Sequence, residues 1–218
     1  MILALDTSTA IASVALYDGA VSAEVTWRSG RGHSVELLPQ AAALMKLRRV
    51  EPKDLLAVAV AVGPGSYTGV RVGLAAGKGL CLALDLPMVG VCTLDILAEG
   101  HRESCIPVRP LLDAGRRRFA TALYRVEQGE LRRVGPIEGK LLSEILSGIS
   151  EKTLLCGDVA EPDAGRLSGL AAPVEVASPA SSLRRAGFLA EIGWRRYHSG
   201  QVQDAAQVGA FYLSKESS

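Results

Sequence analysis

The sequence is poor in aromatic residues (5%) and almost neutral, since 24 Lys and Arg oppose 23 Asp and Glu among 218 residues. A formal charge of +1 argues against a protein that binds nucleic acid through bulk charge, and it gives no reason to expect an anionic membrane as partner. The longest apolar run, residues 55–62, is far shorter than the roughly 20 residues of a transmembrane helix. The first residues, MILALD, lack the basic segment of a signal peptide. We therefore expect a cytoplasmic protein with no membrane partner.

Cysteine and histidine are also scarce, with four and three residues, and neither forms a recognisable pattern. There is no CxxC pair, and His33, His101 and His198 share no helical spacing with one another or with a cysteine. We therefore expect neither a disulfide framework nor a zinc or iron site. The motifs GxSxG and HExxH are absent as well, so the sequence predicts neither a nucleophile elbow nor a zinc-protease helix.

The hydrophobic pattern of the first half predicts a mixed α/β subdomain. Three short apolar segments predict an antiparallel meander, with Asp18-Gly19 as a hairpin turn. Helical and buried-strand patterns then alternate, as they do in a parallel sheet. The predicted elements are strands at 2–5, 12–17 and 21–27, a helix at 34–49, a strand at 55–62, a helix ending at Leu84, a strand at 87–92 and a helix at 93–101.

The second half repeats this order more weakly. Its predicted elements are strands at 107–113, 119–127 and 131–134, a helix at 141–146, a strand at 153–156, an irregular segment at 157–182 and a helix at 183–197. We therefore predict a duplicated architecture, with a mixed sheet and flanking helices in each half. The subdomains are residues 1–104 and 105–218, and the C-terminal helix can pack back on the first.

Two loops have features of phosphate-binding turns. Asp6-Thr7-Ser8 ends a strand, where turn N–H groups can bind an anion and a carboxylate can hold a metal through water. The same residue types are also ordinary turn formers that satisfy local donors. The segment 63–69, GPGSYTG, follows a strand and opens a helix, but its GxGxxxG spacing is one residue longer than the dinucleotide fingerprint. A tight turn with Ser66 or Thr68 as helix cap explains the same residues.

The helix that follows this turn has a face without side chains. Gly69, Gly73 and Gly77 are spaced by four, and each costs about 1 kcal/mol of helix propensity relative to alanine. Such a face predicts the close approach of another backbone, from the chain's own sheet or from a partner helix. The roughly opposite stripe is amphipathic and consists of Tyr67, Arg71, Leu74 and Lys78.

The preceding helix carries two apolar stripes, whereas a helix that covers one face of a sheet needs only one. Two stripes predict deep burial within this chain or burial by another chain. Pro39 predicts either a kink or a helix confined to the residues after it. The first stripe is Val35, Leu38, Ala42 and Met45, and the second is Leu37, Ala41, Leu44 and Leu47 or Arg48.

Four clusters of arginine lie in the second half of the chain. Balanced overall charge and scarce aromatics favour solvated surface for each of them, and contact with RNA phosphates is the alternative. The clusters are Arg116–Arg118, Arg132-Arg133, Arg184-Arg185 and Arg195-Arg196.

Three segments carry a family resemblance: ILALDTSTAIASVALYDG at 2–19, GHSVELLP at 32–39, and VAVGPGSYTGVRVGLAAGKGLCLALDLPMVGVCTLDILA at 60–98, in which GPGSYTGVRVG is the most specific part. They resemble the TsaB (YeaZ) family of bacterial tRNA threonylcarbamoyladenosine biosynthesis proteins. The resemblance implies a duplicated ribonuclease-H-like fold of the ASKHA superfamily, which includes actin, sugar kinases and Hsp70. It is dense over residues 1–100 and thins beyond Asp113.

The resemblance also implies a role without catalysis. In this family TsaB is a noncatalytic scaffold that pairs with its paralogue TsaD and works with the ATPase TsaE. TsaD transfers a threonylcarbamoyl group to N6 of adenosine 37 in tRNAs that read ANN codons, so tRNA is expected only through the complex. The metal-binding HxxxH pair of TsaD falls on Thr93 and Leu97, which cannot replace imidazole ligands. Neither a catalytic residue nor a metal is therefore expected.

The family's TsaD-facing surface is built from the first two helices, and in isolation it can form a homodimer. Any ATP or ADP is expected at the interface of the assembled complex. Asp6, Thr7, Ser8 and Asp113 then represent a vestigial nucleotide or phosphate loop. Carried over residue by residue, the partner surface consists of Leu37, Leu38, Ala41, Met45, Tyr67, Gly69, Arg71, Gly73, Leu74 and Lys78.

The chain departs from the family mainly in its second half. Where the family has DARxxEVY, this chain reads DAGRRRFA from Asp113, and its GDGA-like loop is Gly157-Asp158-Val159-Ala160. Two alternatives to the scaffold remain. One is a free-standing ASKHA-type phosphotransferase or hydrolase that uses Asp6 and Asp113. The other is a metalloprotease, because proteins that resemble this family have also been labelled glycoproteases by kinship with TsaD.

Overall fold

A computed structural model describes residues 1–30, 32–158 and 173–213 of the chain. It divides into two compact units, the first formed by Met1–Ile96 with Arg184–Tyr212 and the second by Leu97–Leu183. The first unit therefore ends eight residues before the predicted boundary at 104, and it also includes the C-terminal helix. None of the helices in these ranges is long and apolar enough to span a lipid bilayer.

The first unit is a five-stranded mixed sheet in the order β3-β2-β1-β4-β5. The strands β1, β2 and β3 form the predicted antiparallel meander, and β1, β4 and β5 are parallel. Its elements are β1 (Ile2–Asp6), β2 (Ile11–Tyr17), β3 (Val21–Arg28), α1 (His33–Arg48), β4 (Ala57–Ala61), α2 (Tyr67–Leu84), β5 (Met88–Val91), α3 (Thr93–Glu99), which crosses the boundary, and α5 (Ala186–His198).

The second unit has the sheet order β10-β9-β6-β7-β8. Counted from its β8 edge, this sheet has the same arrangement as the first. Strands β8, β7 and β6 are antiparallel, and β9 and β10 continue the sheet parallel to β6. The predicted duplication is therefore confirmed. Its elements are β6 (Val108–Asp113), β7 (Arg118–Glu127), β8 (Glu130–Leu141), α4 (Leu142–Ser147), β9 (Thr153–Gly157) and β10 (Val174–Val176).

Helices cover both faces of the first sheet, and successive residues of each strand point to opposite faces. Leu3 and Leu5 pack with α1 and α2, whereas Ile2 and Ala4 pack with α5. The α5 face is rich in alanine, which brings the helix close to the sheet. A Cβ on Gly193 of α5 would lie 2.7 Å from the Cβ of Ala59.

The helix predicted at 34–49 is confirmed as α1, which begins at His33 and contains Pro39. Of the two effects predicted for the proline, confinement of the helix to the residues after it is therefore excluded. Two other predictions of local structure were wrong. Strand β8 continues beyond the predicted 131–134, because an exposed edge strand with glycine and proline lacks a regular hydrophobic alternation. Strand β10 lies in the segment that was predicted to be irregular, of which 159–172 fall outside the described residues.

Candidate partner surface

The glycine face of α2 packs on the chain's own sheet. A Cβ on Gly73 would lie 2.7 Å from Oγ1 of Thr7, and one on Gly77 would lie 2.6 Å from Cγ2 of Val60. Gly69 faces the carbonyl oxygen of Thr7. Gly69 and Gly73 are therefore buried against strands β1 and β4, and they offer no surface to a partner helix.

The Asp6-Thr7-Ser8 loop is enclosed in the first unit, with at most 1% of any of the three residues exposed. Ser8 donates to Oδ1 of Asp6 from its backbone N, at 2.8 Å, and from its hydroxyl, at 2.6 Å. Arg184 donates to Oδ2 from Nε at 3.0 Å. The hydroxyl of Thr7 donates to the carbonyl of Gly69 at 2.7 Å. The predicted phosphate loop is thus an internally bonded joint between β1 and α2.

Sequence reasoning missed the role of Arg184. The interpretation of this arginine as solvated surface was wrong, because it is 4% exposed and pairs with Asp6. Its neighbour Arg185 is half exposed and pairs with Glu24, as a surface residue does. No sequence signal separated the two members of the doublet, since the partner of Arg184 lies at the opposite end of the chain.

Asp113 belongs to the second unit and ends β6 at an exposed position. Its Oδ1 accepts a hydrogen bond from the N–H of Gly115 at 2.7 Å, and its own N–H donates to Oδ2 of Asp158 at 3.1 Å. Gly157 and Asp158 of the GDGA-like loop are described, whereas Val159 and Ala160 fall outside the described residues.

The two apolar stripes of α1 have different environments. Leu37, Ala41 and Leu44 of one stripe are buried in the core beneath the helix, whereas Leu47 and Arg48 at its end are exposed. The other stripe is on the surface, where Val35 is 73% and Leu38 is 43% exposed, and Met45 is partly buried. Of the four residues predicted on α1, only Leu38 and Met45 can therefore contribute to an outer surface.

The predicted stripe of α2 likewise contains both buried and exposed residues. Leu74 belongs to the core with 7% exposure, whereas Tyr67 is 57% exposed and Arg71 is exposed. Lys78 is half-buried and donates from Nζ to the carbonyl of Ala206 at 3.3 Å. The N-terminus of α2 is capped by Ser66, one of the two predicted caps, whose hydroxyl accepts from the N–H of Gly69 at 3.3 Å.

The C-terminal segment adds an aromatic side chain to this face of α2. The guanidinium carbon of Arg71 lies 3.9 Å from the ring centroid of Tyr67, and Nε of Arg71 donates to the hydroxyl of Tyr212 at 3.1 Å. The two tyrosine rings are 5.4 Å apart. The backbone N–H of Phe211 holds the segment by donating to the carbonyl of Val62 at 2.7 Å. We call Tyr67, Arg71 and Tyr212 the tyrosine–arginine cluster.

Comparison with known proteins identifies the family. A family model described as TsaD, tRNA N6-adenosine threonylcarbamoyltransferase, matches residues 20–148, which is more than half of the chain. The Bacillus subtilis protein named tRNA threonylcarbamoyladenosine biosynthesis protein TsaB is 37% identical over 152 residues, or 69% of this chain and 66% of that protein. The Escherichia coli protein of the same name is 34% identical over 178 residues, or 78% of this chain and 77% of that protein. The chain belongs to the TsaB family.

Solved structures of similar proteins have the same fold along nearly the whole chain. A Pseudomonas aeruginosa protein described as similar to the peptidase YeaZ has a TM-score of 0.83 and 26% identity, and the match covers 98% of this chain and 99% of that one. YeaZ from Pseudomonas aeruginosa has a TM-score of 0.81 at 26% identity, with 97% and 99% covered. These matches agree with the duplicated ASKHA-like fold that the TsaB resemblance implies.

The four cysteines of this TsaB-family chain differ in their burial, and Cys92 is intermediate. Cys105 is exposed, whereas Cys81 and Cys156 are buried. Burial raises the pKa of the Cys81 thiol from 9.0 to about 11 and that of Cys156 to about 12, because a thiolate is poorly solvated in an apolar interior. Across residues 1–30, 32–158 and 173–213, no three His, Cys, Asp or Glu side chains are grouped as they would be to hold a metal ion.

Proposed function

We propose that this chain is a noncatalytic scaffold and activating subunit for the synthesis of N6-threonylcarbamoyladenosine at position 37 of ANN-decoding tRNAs. It acts in the cytoplasm by dimerising with TsaD, the family's transferase, and TsaE joins the assembly. The observation that carries the proposal is that two contacting helices both expose residues typical of interfaces, an apolar stripe on α1 and the tyrosine–arginine cluster on α2. Membership of the TsaB family supports the pathway, since curated members are named for it.

The proposed contact surface has the composition of a binding site. The helices α1 and α2 pack side by side, and Val35 and Leu38 present aliphatic side chains to solvent on the first. Tyrosine and arginine are enriched among the few residues that supply most of the energy at the centres of protein interfaces. Tyrosine buries a large area with few flexible torsions, and the planar guanidinium of arginine stacks on aromatic rings and donates several hydrogen bonds. Tyr67, Arg71 and Tyr212 would supply that centre. In the absence of TsaD, the same surface would pair two copies of this chain.

The absence of catalysis in this subunit is supported by the Asp6 loop. A phosphotransferase of the ASKHA type would need this carboxylate at an accessible position, but its oxygens accept hydrogen bonds from Ser8 and Arg184 inside the first unit. We expect ATP or ADP only at the interface of the assembled complex. ATP turnover by the isolated chain that is abolished by Asp6→Asn would favour the free-standing enzyme. A stoichiometric metal in elemental analysis would favour the metalloprotease.

Binding of purified TsaD to surface variants tests the proposal. We expect Leu38→Arg and Tyr67→Ala each to weaken TsaD binding at least about tenfold, by analogy with central interface residues. The matched control is Val134→Arg, which changes a side chain of similar exposure (41%) in the second unit. Ala41 and Leu74 are unsuitable targets because arginine there would disrupt the core. TsaD binding that is unchanged by Leu38→Arg and Tyr67→Ala would contradict the assigned surface.

A further inference from the structure

The hairpin that joins β6 to β7 has an unusual backbone. Gly115, Arg116 and Arg117 have φ angles of +76°, +54° and +62°. The turn is closed by hydrogen bonds from Ala114 N to Arg118 O, at 2.9 Å, and from Arg118 N to Gly115 O, at 3.0 Å. Left-handed backbone is disfavoured for residues with a Cβ, and two-residue turns of this kind usually contain Asn-Gly. Two consecutive arginines in left-handed backbone therefore destabilise this tip relative to Asn-Gly.

The contacts within the described part of the chain do not explain why arginines occupy these two positions. Arg116 and Arg117 are exposed, and neither side chain forms a hydrogen bond or ion pair among the described residues. Other arginines of the same sheet do have partners. Arg118 donates to the carbonyl of Gly139 at 2.6 Å, Arg125 pairs with Glu151, and Arg132 pairs with Glu130.

The charge of this region differs from that of the chain as a whole. Between Asp113 and Leu141, seven Lys and Arg stand against four Asp and Glu, whereas the whole chain has a net charge of +1. The tip itself, Ala114 to Arg117, has no large apolar side chain that a protein partner could bury. Guanidinium groups bind phosphate oxygens in pairs of hydrogen bonds, and a phosphate backbone requires no matching pocket. A projecting pair of arginines therefore fits a nucleic acid better than an acidic protein.

We propose that Arg116 and Arg117 contact the phosphate backbone of RNA. The proposal deepens the proposed function, because the RNA would be the tRNA on which the assembly acts. Two such contacts strengthen and orient binding without making the chain a basic RNA-binding protein, in agreement with its composition. The strained turn places both guanidinium groups at the tip of the hairpin. The chain is therefore less stable than it would be with Asn-Gly at these positions.

The double variant Arg116→Asn/Arg117→Gly separates binding from folding. Asn-Gly suits this turn, so we expect a higher thermal midpoint than in the natural chain. Removal of two phosphate contacts should weaken binding of labelled tRNA about tenfold at low salt. It should also lower the slope of log K against log salt by about one per arginine. Because stability and affinity are expected to change in opposite directions, misfolding cannot account for the loss.

The matched control is Arg125→Ala/Arg132→Ala, which removes the same charge from arginines that already have carboxylate partners. It should leave the affinity for tRNA within about twofold. Natural affinity in the Asn-Gly variant, or an equal loss in the control, would overturn the proposal. Polyglutamate that competes as well as RNA would assign the tip to an acidic protein and would also overturn it.

Two separate measurements distinguish this proposal from the proposed function. One is the capture of TsaD by the chain without RNA, and the other is the affinity for labelled tRNA of the chain alone and of the chain mixed with TsaD. TsaD capture without RNA should be the same for the Asn-Gly variant and the natural chain. If the natural chain captures no TsaD but the Asn-Gly variant loses tRNA, the proposed function fails and the RNA contact stands. If capture succeeds and the variant keeps its tRNA affinity, the RNA contact fails alone.

Discussion

Arg184 donates a hydrogen bond from Nε to the carboxylate of Asp6 at 3.0 Å, although 178 positions separate the two residues. Both side chains are buried, with 3% and 0% exposed. From Nη2 the same guanidinium donates to the hydroxyl of Thr9, at 2.5 Å, and to the carbonyl of Ile11, at 3.2 Å. One arginine thus connects the turn between β1 and β2 to the chain just before α5.

Breaking this pair should destabilise the fold strongly. Removal of one member of a buried ion pair leaves a charge without compensation, so we expect Arg184→Leu to lower the free energy of unfolding by about 3–5 kcal/mol. Urea denaturation measures the loss. The neighbouring variant Arg185→Ala is the control, since it breaks a half-exposed pair that is worth at most about 1 kcal/mol. Equal urea midpoints for Arg184→Leu and the natural chain would show that the pair is dispensable.

Alanine substitutions at two glycines of α2 should change the free energy of unfolding in opposite directions. Gly73→Ala brings a methyl group within 2.7 Å of the buried Thr7 hydroxyl, and we expect a loss of about 1–3 kcal/mol. A Cβ on Gly79 meets no atom within 4 Å, so Gly79→Ala should gain about 1 kcal/mol of helix propensity. Thermal or urea unfolding of both variants checks the difference in sign. A stabilising Gly73→Ala would mean that α2 can move away from the sheet.

Part of this fold could be predicted from the amino-acid sequence alone. The strand order follows from the order of elements, because a hairpin meander and alternating helices and strands allow few arrangements. The glycine spacing predicted a close neighbour of α2, and it left open whether that neighbour is the sheet or a partner. The two stripes of α1 were visible too, but only the packing reveals that Leu37 lies inward and Leu38 outward.

Contacts between distant parts of the chain could not be predicted. Nothing near Arg184 distinguishes it from Arg185, because its burial depends on where the final helix lies. For the same reason the role of Tyr212 was missed, since its contact with Arg71 spans 141 positions. A single sequence specifies local periodicity well, whereas the meeting of distant polar side chains depends on the complete fold.

The tyrosine–arginine cluster predicts a graded effect on TsaD binding. Tyr212→Ala removes both the ring and the hydroxyl that contacts Arg71, and we expect about tenfold weaker binding. Tyr212→Phe keeps the ring and should lose less. Phe211→Ala is the control, because Phe211 is similarly exposed and its hydrogen bond to Val62 comes from the backbone. Titration calorimetry measures the three affinities. Equal losses in Phe211→Ala and Tyr212→Ala would assign the effect to the whole segment.

The buried cysteines predict a loss of stability at alkaline pH. Burial raises the pKa of Cys81 to about 11 and that of Cys156 to about 12, so the native state keeps protons that the unfolded chain releases above pH 9. Because the unfolded state binds fewer protons there, the stability contributed by these thiols falls as pH rises from about 9 to 12. Urea unfolding at pH 8 and pH 10 measures this fall.

The variant Cys81→Ala/Cys156→Ala provides the comparison for this pH dependence. It should lose less stability between pH 8 and pH 10 than the natural chain, since its core contains no ionisable thiol at either position. Alkylation gives a second readout, in which the exposed Cys105 should react in the native state and the two buried thiols should not. Rapid native labelling of Cys156 would contradict its burial.

The docking of α5 on the first sheet has a consequence for synthesis on the ribosome. The face formed by Ile2, Ala4 and Ala59 is covered by residues made almost two hundred codons after the first strand. During translation this alanine-rich face remains open to water, to chaperones and to other nascent chains until residues 186–198 leave the exit tunnel. The second unit can complete its own sheet before the first unit is closed. The first unit therefore cannot complete its packing until α5, at the end of its sequence, has been made.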